Sequence, residues 1–230
     1  MTIRSRASIS AHGAHGTVRV VVVDDHPIFR RGLVELINHE PGMTVCAEAA
    51  TSGAAMAAMA TSHADVVVVD LSLGADSGLD LVAGLTRTHP SVRTLVLSGH
   101  DERFYAERAL KAGALGYIMK DQAGAELLTA LRRVAMGKPY VSSAAAERIL
   151  STLGGSRHRS QEPLDRLSDR ERHVLMLIGR GLGTTEIARQ LHLSVKTIET
   201  HCARMKQKLG VRSGRELMRV AVTWTDRTPH

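Results

Sequence analysis

The sequence is poor in aromatic residues, in cysteine and in long apolar runs. Phe, Trp and Tyr make up only 3% of the 230 residues, which argues against a stacking surface for single-stranded nucleic acid. The two cysteines, Cys46 and Cys202, lie far apart, so neither a disulfide framework nor a metal-binding cysteine cluster is expected. No apolar run reaches the roughly 18 residues of a membrane span, and residues 1–16 lack the apolar stretch of a secretory signal. We therefore expect a cytoplasmic protein without membrane contact.

The charge is distributed unevenly between the two halves of the chain. Residues 17–137 carry 11 positively and 14 negatively charged side chains, whereas residues 161–230 carry 13 and 8. A mildly acidic front half and a basic rear half indicate two domains, with the rear one close to a polyanion. The alternative is that the basic face is simply solvated.

The front half alternates short apolar runs with helical patterns. Uniformly apolar strands need helices on both faces of the sheet, so five such units predict an α/β fold with a doubly wound parallel sheet. The flavodoxin-like strand order 2-1-3-4-5 is the natural choice for five units. The predicted strands are Val18–Val23, Thr44–Ala47, Val66–Leu71, Thr94–Leu97 and Tyr117–Met119, and the helices between and after them are Ile28–Asn38, Ala54–Thr61, Leu79–Thr88, Glu102–Ala112 and Ala123–Met136.

The pattern changes after Gly137. Residues 142–153 can form a short helix, but the following "GGSRHRSQEP" is small, polar and basic, as linkers are. Four helices follow, two of them opened by the capping boxes Ser168 to Glu171 and Ser213 to Glu216. We predict a disordered arm at 1–16, an α/β domain at 17–137, a linker at 138–163 and an all-α domain at 164–230.

Polar residues stand at the predicted carboxyl ends of four strands, where open parallel sheets bind ligands. They are Asp24, Asp25, Asp70, Ser98 and Lys120. Three clustered carboxylates favour a hard divalent cation, above all Mg²⁺. Asp70 would then be a nucleophile that forms an aspartyl phosphate, with Lys120 and Ser98 contacting the phosphoryl oxygens. Alternatively, a lone Asp or Ser at a strand end is only a turn or cap residue.

The motifs "VVVDDHP", "LVLSGH" and "GALGYIMKD", together with Asp70 at the end of its strand, resemble the receiver domain of two-component response regulators of the NarL/FixJ type. The resemblance implies phosphorylation of Asp70 by a sensor histidine kinase. It also implies direct Mg²⁺ ligation by Asp25 and Asp70, water-mediated ligation by Asp24 and a ligand from the Ser72 backbone carbonyl. Ser98 and Tyr117 occupy the positions of the family's switch residues, and Lys120 that of its pocket lysine.

The loop after Asp70 departs from this family. The family usually has Met-Pro where this chain has Leu73 and Gly74. Neither residue donates a ligand side chain, so the pocket chemistry is expected to survive. Glycine restores the backbone freedom that proline removes, so loop rigidity and the lifetime of the phosphoryl group are what the exchange affects.

The rear domain contains "TTEIARQLHLSVKTIETH", a helix, a short turn and a helix, and resembles the LuxR-type helix-turn-helix. The resemblance implies binding of double-stranded DNA with the third helix in the major groove. Predicted phosphate contacts are Lys196, Thr197, His201, Arg204, Lys206 and Lys208, and predicted base-facing residues are Glu199, Thr200 and Ala203. A solvated basic face is again the alternative.

The sequence thus predicts a transcriptional regulator, not an enzyme, in which phosphorylation of Asp70 promotes homodimerisation and promoter binding. A metal-dependent phosphatase is disfavoured, because such enzymes commonly have a second aspartate where Ser72 stands. A DNA-binding regulator with a phosphorylation-independent receiver stays open as the alternative.

Overall fold

The structure is a computed structural model that describes residues 16–74, 76–99, 102–154, 166–191 and 193–226. The chain divides into two compact units, Met1–Ile149 and Leu150–His230, and each is described by itself. Nearly all of the predicted arm and residues 155–163 of the predicted linker lie outside the described residues.

The first unit contains a five-stranded parallel sheet flanked by helices, as the sequence predicts. The strands lie in the order β2-β1-β3-β4-β5, which confirms the flavodoxin-like arrangement. The strands are β1 Val18–Val23, β2 Met43–Ala49, β3 Val66–Val69, β4 Arg93–Ser98 and β5 Gly116–Met119. The helices are α1 Pro27–Asn38, α2 Ser52–Ser62, α3 Gly78–Thr88, α4 Glu102–Lys111 and α5 Ala123–Ala135.

Both faces of the sheet are buried, which explains the unbroken valine runs. Successive side chains of a strand point to opposite faces. Val21 and Val23 accordingly pack in one apolar cluster with Leu85 of α3, among others. Val20 and Val22 pack in the other cluster with residues of α1 and α5. Burial of the central strands on both faces fixes the positions of the residues that follow them.

The chain after Gly137 continues as part of the first unit. Tyr140 forms a parallel bridge with Gly116, and the Tyr117 N–H donates to the Tyr140 carbonyl at 2.8 Å. Helix α6 follows at Ser143–Gly154, and the Ser142 hydroxyl donates to Glu102 of α4 at 2.5 Å. The beginning of the predicted linker at 138–163 therefore pairs, at Tyr140, with the edge strand β5.

Ser142→Ala is expected to loosen α6 from the first unit. The Ser142 hydroxyl contacts Glu102 and also accepts the Ala145 N–H at 3.1 Å, so its loss removes a helix cap. Caps of this type contribute about 1 kcal/mol, so the amides of residues 144–149 should exchange roughly five times faster. The exposed neighbour Ser143→Ala is the control and should leave hydrogen exchange unchanged. Equal exchange rates in the two variants would contradict this account.

The second unit is all-α, with the four predicted helices at α7 Asp169–Gly179, α8 Thr184–Gln190, α9 Val195–Leu209 and α10 Gly214–Asp226. The capping box at Ser168 and Glu171 opens α7, and Ser194 caps α9. Helices α7 and α10 cross closely at Gly179, where an added Cβ would lie 2.7 Å from the Ala221 carbonyl oxygen. Within the described ranges, no helix has the length and apolar character needed to cross a membrane.

Candidate functional site

The carboxyl ends of β1, β3 and β5 bring two aspartates and a lysine together. Asp24 follows β1, Asp70 follows β3, and Lys120 follows β5. The Lys120 Nζ lies 2.6 Å from Asp24 Oδ2 and 2.7 Å from Asp70 Oδ2. The ammonium group also lies 4.6 Å from the centre of the Phe29 ring in α1. The predicted convergence of these three residues is therefore present in the structure.

Burial and neighbouring charges shift the proton affinities in this pocket. Asp70 is 2% exposed, and its pKa is raised to about 6, mainly by burial. The charge of Lys120 lowers the pKa of Asp70, and the charge of the Asp24 carboxylate raises it. Burial lowers the pKa of Lys120, but Asp70 and Asp24 outweigh this effect and raise it overall. Near neutral pH, Asp70 is thus mostly ionised beside a fully protonated lysine, as a carboxylate nucleophile requires.

The backbone of Asp70 is held as closely as its side chain. Its N–H donates to the Val23 carbonyl at 2.9 Å, and its Oδ1 accepts the Ser72 N–H at 3.1 Å. The first residue of α3, Gly78, packs against the same backbone, since an added Cβ would lie only 2.2 Å from the Asp70 carbonyl oxygen. Glycine at position 78 therefore permits the approach of α3 to the strand end.

The acidic side of the pocket is suited to a hard divalent cation. One ligand atom each of Asp24, Asp25, His26 and Asp70 lies within 4.8 Å of the others. Mg²⁺ prefers oxygen ligands and is usually held by one or two carboxylates while it keeps several waters. Asp25, which is more exposed than Asp24 and Asp70, has its Oδ2 bonded to the Gly74 N–H at 2.8 Å. The side chains present therefore fit the predicted Mg²⁺ site.

His26 is not among the predicted pocket residues, yet its ring lies at the pocket. The His26 Nδ1 is 2.8 Å from Asp25 Oδ1 and 3.5 Å from Asp24 Oδ1. The available signal was the run Asp24-Asp25-His26 itself. The direction of the His26 ring depends on where α1 begins, and no sequence pattern determines that direction.

The two predicted switch residues are both inside the first unit. Ser98 is the last residue of β4 and is 0% exposed, and Tyr117 in β5 is 1% exposed. Their strands are neighbours, with Ser98 opposite Met119 and Val96 opposite Tyr117. The Tyr117 ring is thus in the inward position. The backbone of Ser72, the predicted carbonyl ligand, lies in a short hairpin opposite Ser77.

Helix α9 presents a polar face that contains most of the predicted DNA contacts. Ile198 and Met205 are buried on the opposite side of the helix. Thr197, His201 and Lys206 are half-buried, and the Thr197 N–H donates to the capping Ser194 hydroxyl at 3.1 Å. The exposed members of the predicted set are Lys196, Glu199, Thr200, Ala203, Arg204 and Lys208.

His201 and Lys208 have properties that the sequence did not reveal. Burial, followed by the charge of Arg170, lowers the pKa of His201, so this ring is neutral at neutral pH and can contact a phosphate only as an N–H donor. The Lys208 Nζ lies 2.7 Å from Oε2 of the buried Glu171 in α7. Lys208, one of the predicted phosphate contacts, thus also joins α9 to α7.

Two family models match the chain, one on each unit. Residues 20–132 match the response regulator receiver domain, and residues 165–221 match the bacterial regulatory proteins of the luxR family.

Several proteins match most of the length of this chain. The DNA-binding transcriptional activator DevR/DosR of Mycobacterium tuberculosis is 36% identical over 84% of this chain and 89% of its own length. The oxygen regulatory protein NreC of Staphylococcus haemolyticus is 32% identical over 89% of this chain and 97% of its own. Among solved structures, RcsB of Salmonella enterica serovar Typhimurium bound to promoter DNA with a phosphomimetic is 28% identical, covers 89% of this chain and 97% of its own, and has a TM-score of 0.54.

Proposed function

This chain belongs to the response regulators that join a receiver domain to a LuxR-type DNA-binding domain, and we propose that phosphorylation of Asp70 is its switch. The protein is a DNA-binding transcriptional regulator of this family. The observation that carries the proposal is the contact of Lys120 with both Asp70 and Asp24 at the carboxyl edge of the sheet. A lysine held between two carboxylates provides a place for the negative charge of a phosphoryl group.

In the proposed reaction, an Asp70 carboxylate oxygen attacks the phosphorus of a phosphohistidine on a sensor kinase. The new O–P bond forms as the P–N bond breaks, and the histidine nitrogen leaves with the electron pair. Lys120 neutralises phosphoryl oxygen charge, while the Ser72 N–H and the approach of Gly78 hold the attacking residue in place. Mg²⁺, held by Asp25, Asp70 and the Ser72 carbonyl with Asp24 acting through water, would supply further charge neutralisation when bound.

The response to phosphorylation is proposed to pass through Ser98 and Tyr117. Ser98 ends the strand beside β3 and can move toward a phosphoryl group on Asp70. This movement of Ser98 would leave space beside the Tyr117 ring. The ring population would then shift between an exposed and an inward position. The shift would promote homodimerisation and binding to double-stranded promoter DNA in the cytoplasm.

The polar face of α9 is the proposed DNA-reading surface. Glu199, Thr200 and Ala203 are exposed on it and are proposed to face base edges. The phosphate contacts are proposed to come from Lys196, Thr197, His201, Arg204, Lys206 and Lys208 around them. Helix α9 begins at a capped, ordered end, which fits insertion of its first half into the major groove.

Incubation with a small phosphodonor and Mg²⁺, followed by intact mass measurement, tests the switch. The wild type should gain one phosphoryl group, Asp70→Asn should gain none, and the exposed Asp80→Asn should behave as the wild type. Phosphodonor should also increase dimerisation and promoter binding in the wild type and in Asp80→Asn, but not in Asp70→Asn. A wild type that gains no phosphoryl mass would favour the phosphorylation-independent receiver instead.

A further inference from the structure

The loop between β3 and α3 is folded into a small hairpin. Ser72–Leu73 pairs in antiparallel fashion with Asp76–Ser77, and Gly74 lies in the turn with φ of +61°. This is the left-handed region, which glycine adopts without the steric penalty that other residues meet. The departure from the family's usual proline thus coincides with a backbone conformation that proline cannot take.

Two hydrogen bonds tie this hairpin to the neighbouring parts of the carboxyl edge. The Gly74 N–H donates to Asp25 Oδ2 at 2.8 Å, across 49 positions of sequence. The Ser52 N–H at the start of α2 donates to Asp76 Oδ2 at 3.2 Å. The first bond reaches a carboxylate of the proposed metal site, and the second anchors the other strand of the hairpin.

Conformation and hydrogen bonding, not space, are what make position 74 special. A Cβ added to Gly74 would lie 3.9 Å from Asp25 Oδ2, an ordinary contact distance. Alanine would therefore fit and would keep the N–H, but its side chain would make the positive φ strained. Proline could neither adopt the positive φ nor donate the hydrogen bond, because its ring fixes φ near −65° and its nitrogen carries no hydrogen. The two substitutions separate the hydrogen bond from the strain.

We infer that the Gly74 N–H is a positioning group that orients the Asp25 carboxylate as a metal ligand, an inference that rests on the proposed function. Carboxylate ligands are commonly held by hydrogen bonds from groups outside the metal's own shell, and loss of such a partner costs about 10–100-fold in metal affinity. With Oδ2 held by Gly74, the carboxylate keeps its orientation while Oδ1 lies on the side of His26. The Gly74 amide thus donates a hydrogen bond to the Asp25 carboxylate that a proline at position 74 could not donate.

Mg²⁺ titration of the unphosphorylated full-length protein by calorimetry tests the inference. Gly74→Pro should raise the Mg²⁺ dissociation constant about tenfold or more. Gly74→Ala, which keeps the N–H, should raise it clearly less than Gly74→Pro does. Unchanged or tighter binding by Gly74→Pro, or equal weakening by both variants, would overturn the inference. Thermal unfolding of each variant shows whether the receiver is still folded.

A second measurement covers the case in which Gly74→Pro does not fold. The Gly74 amide should be protected from hydrogen exchange in the wild type and should lose that protection in Asp25→Ala, while Asp80→Asn leaves it unchanged. Protection that survives Asp25→Ala would overturn the inference. If the wild type gains phosphoryl mass but Gly74→Pro binds Mg²⁺ normally, only the inference fails. If the wild type binds no Mg²⁺, the inference fails together with the metal site of the proposed function.

Discussion

Asp70→Asn is expected to make the receiver more stable, by up to about 3 kcal/mol at pH 8 without divalent metal. Burial raises the Asp70 pKa from 3.8 to about 6, and each pKa unit corresponds to about 1.4 kcal/mol. Asparagine removes this buried charge and its repulsion with Asp24. Lys120 keeps Asp24 as a partner at 2.6 Å, so the substitution does not leave an unpaired ammonium. The nucleophile is thus held ionised at the expense of stability.

The stabilisation should depend on pH in a defined direction. Because the folded-state pKa of Asp70 is above the unfolded value, the folded protein keeps a proton between pH 3.8 and about 6 that the unfolded chain has lost. Wild-type stability is therefore highest, with respect to this group, below pH 3.8 and decreases as pH rises through 6. The advantage of Asp70→Asn should be largest at pH 7–8 and small near pH 4.

Unfolding in the presence of a chelator, followed by tyrosine absorbance, measures this effect. All three tyrosines lie in the first unit, and the single tryptophan, Trp224, lies in the second, so the two units have separate signals. Asp80→Asn is the control and should show no such pH-dependent gain. Added Mg²⁺ should narrow the gap, because it stabilises the folded wild type. A destabilised Asp70→Asn receiver at pH 8 would show that the Lys120 contact outweighs burial.

The strand order and the main pocket residues were predictable for a simple physical reason. A valine run buried on both faces must be a central parallel strand, and the residue that follows it must lie at the ligand-binding edge. Asp24 and Asp70 follow the valine runs of β1 and β3, Lys120 follows the edge strand β5, and the structure brings the three together. Local pattern was sufficient because the backbone of the strand alone sets where these residues emerge.

Contacts that depend on two distant segments were not predictable. The Gly74 bond to Asp25 requires both the hairpin and the end of β1 to be in place. The bridge between Tyr140 and Gly116 requires the segment after α5 to return to the edge of the sheet. In each case the sequence contains the participants, but only tertiary packing selects them from many equivalent polar groups.

Lys208 and Lys206 are two positions apart on α9, and the structure predicts different effects on stability when each is replaced. Lys208 Nζ is 2.7 Å from the 2%-exposed Glu171, whereas Lys206 has no carboxylate ion-pair partner among the residues that the structure describes. Their spacing in the sequence places Lys206 and Lys208 among the polar residues of α9, but only Lys208 contacts a carboxylate of α7.

Lys208→Met is expected to destabilise the second unit by about 2 kcal/mol at pH 7. Removing one partner of a fully buried ion pair costs about 3–5 kcal/mol, and the expected cost lies below this range because the Lys208 side chain is 39% exposed. Glu171 also keeps its bond from the Ser168 N–H at 2.7 Å. Lys206→Met should leave stability within about 0.5 kcal/mol of the wild type. Fluorescence of Trp224 in α10, which packs on α7, follows the unfolding of this unit.

The pH dependence and DNA binding of the two variants separate the structural role from the DNA contact. Burial raises the pKa of Glu171, but bonds from Lys208 and Ser168 outweigh it and lower the pKa below 4.5. The stabilisation by Glu171 is therefore present above pH 4.5 and lost as pH falls through its folded-state pKa, so the deficit of Lys208→Met should shrink on acidification.

With a random-sequence DNA duplex, Lys206→Met should weaken binding and reduce the salt slope by about one, since one phosphate contact is lost. Equal stability of the two variants at pH 7 would show that the bond to Glu171 does not hold α9 against α7.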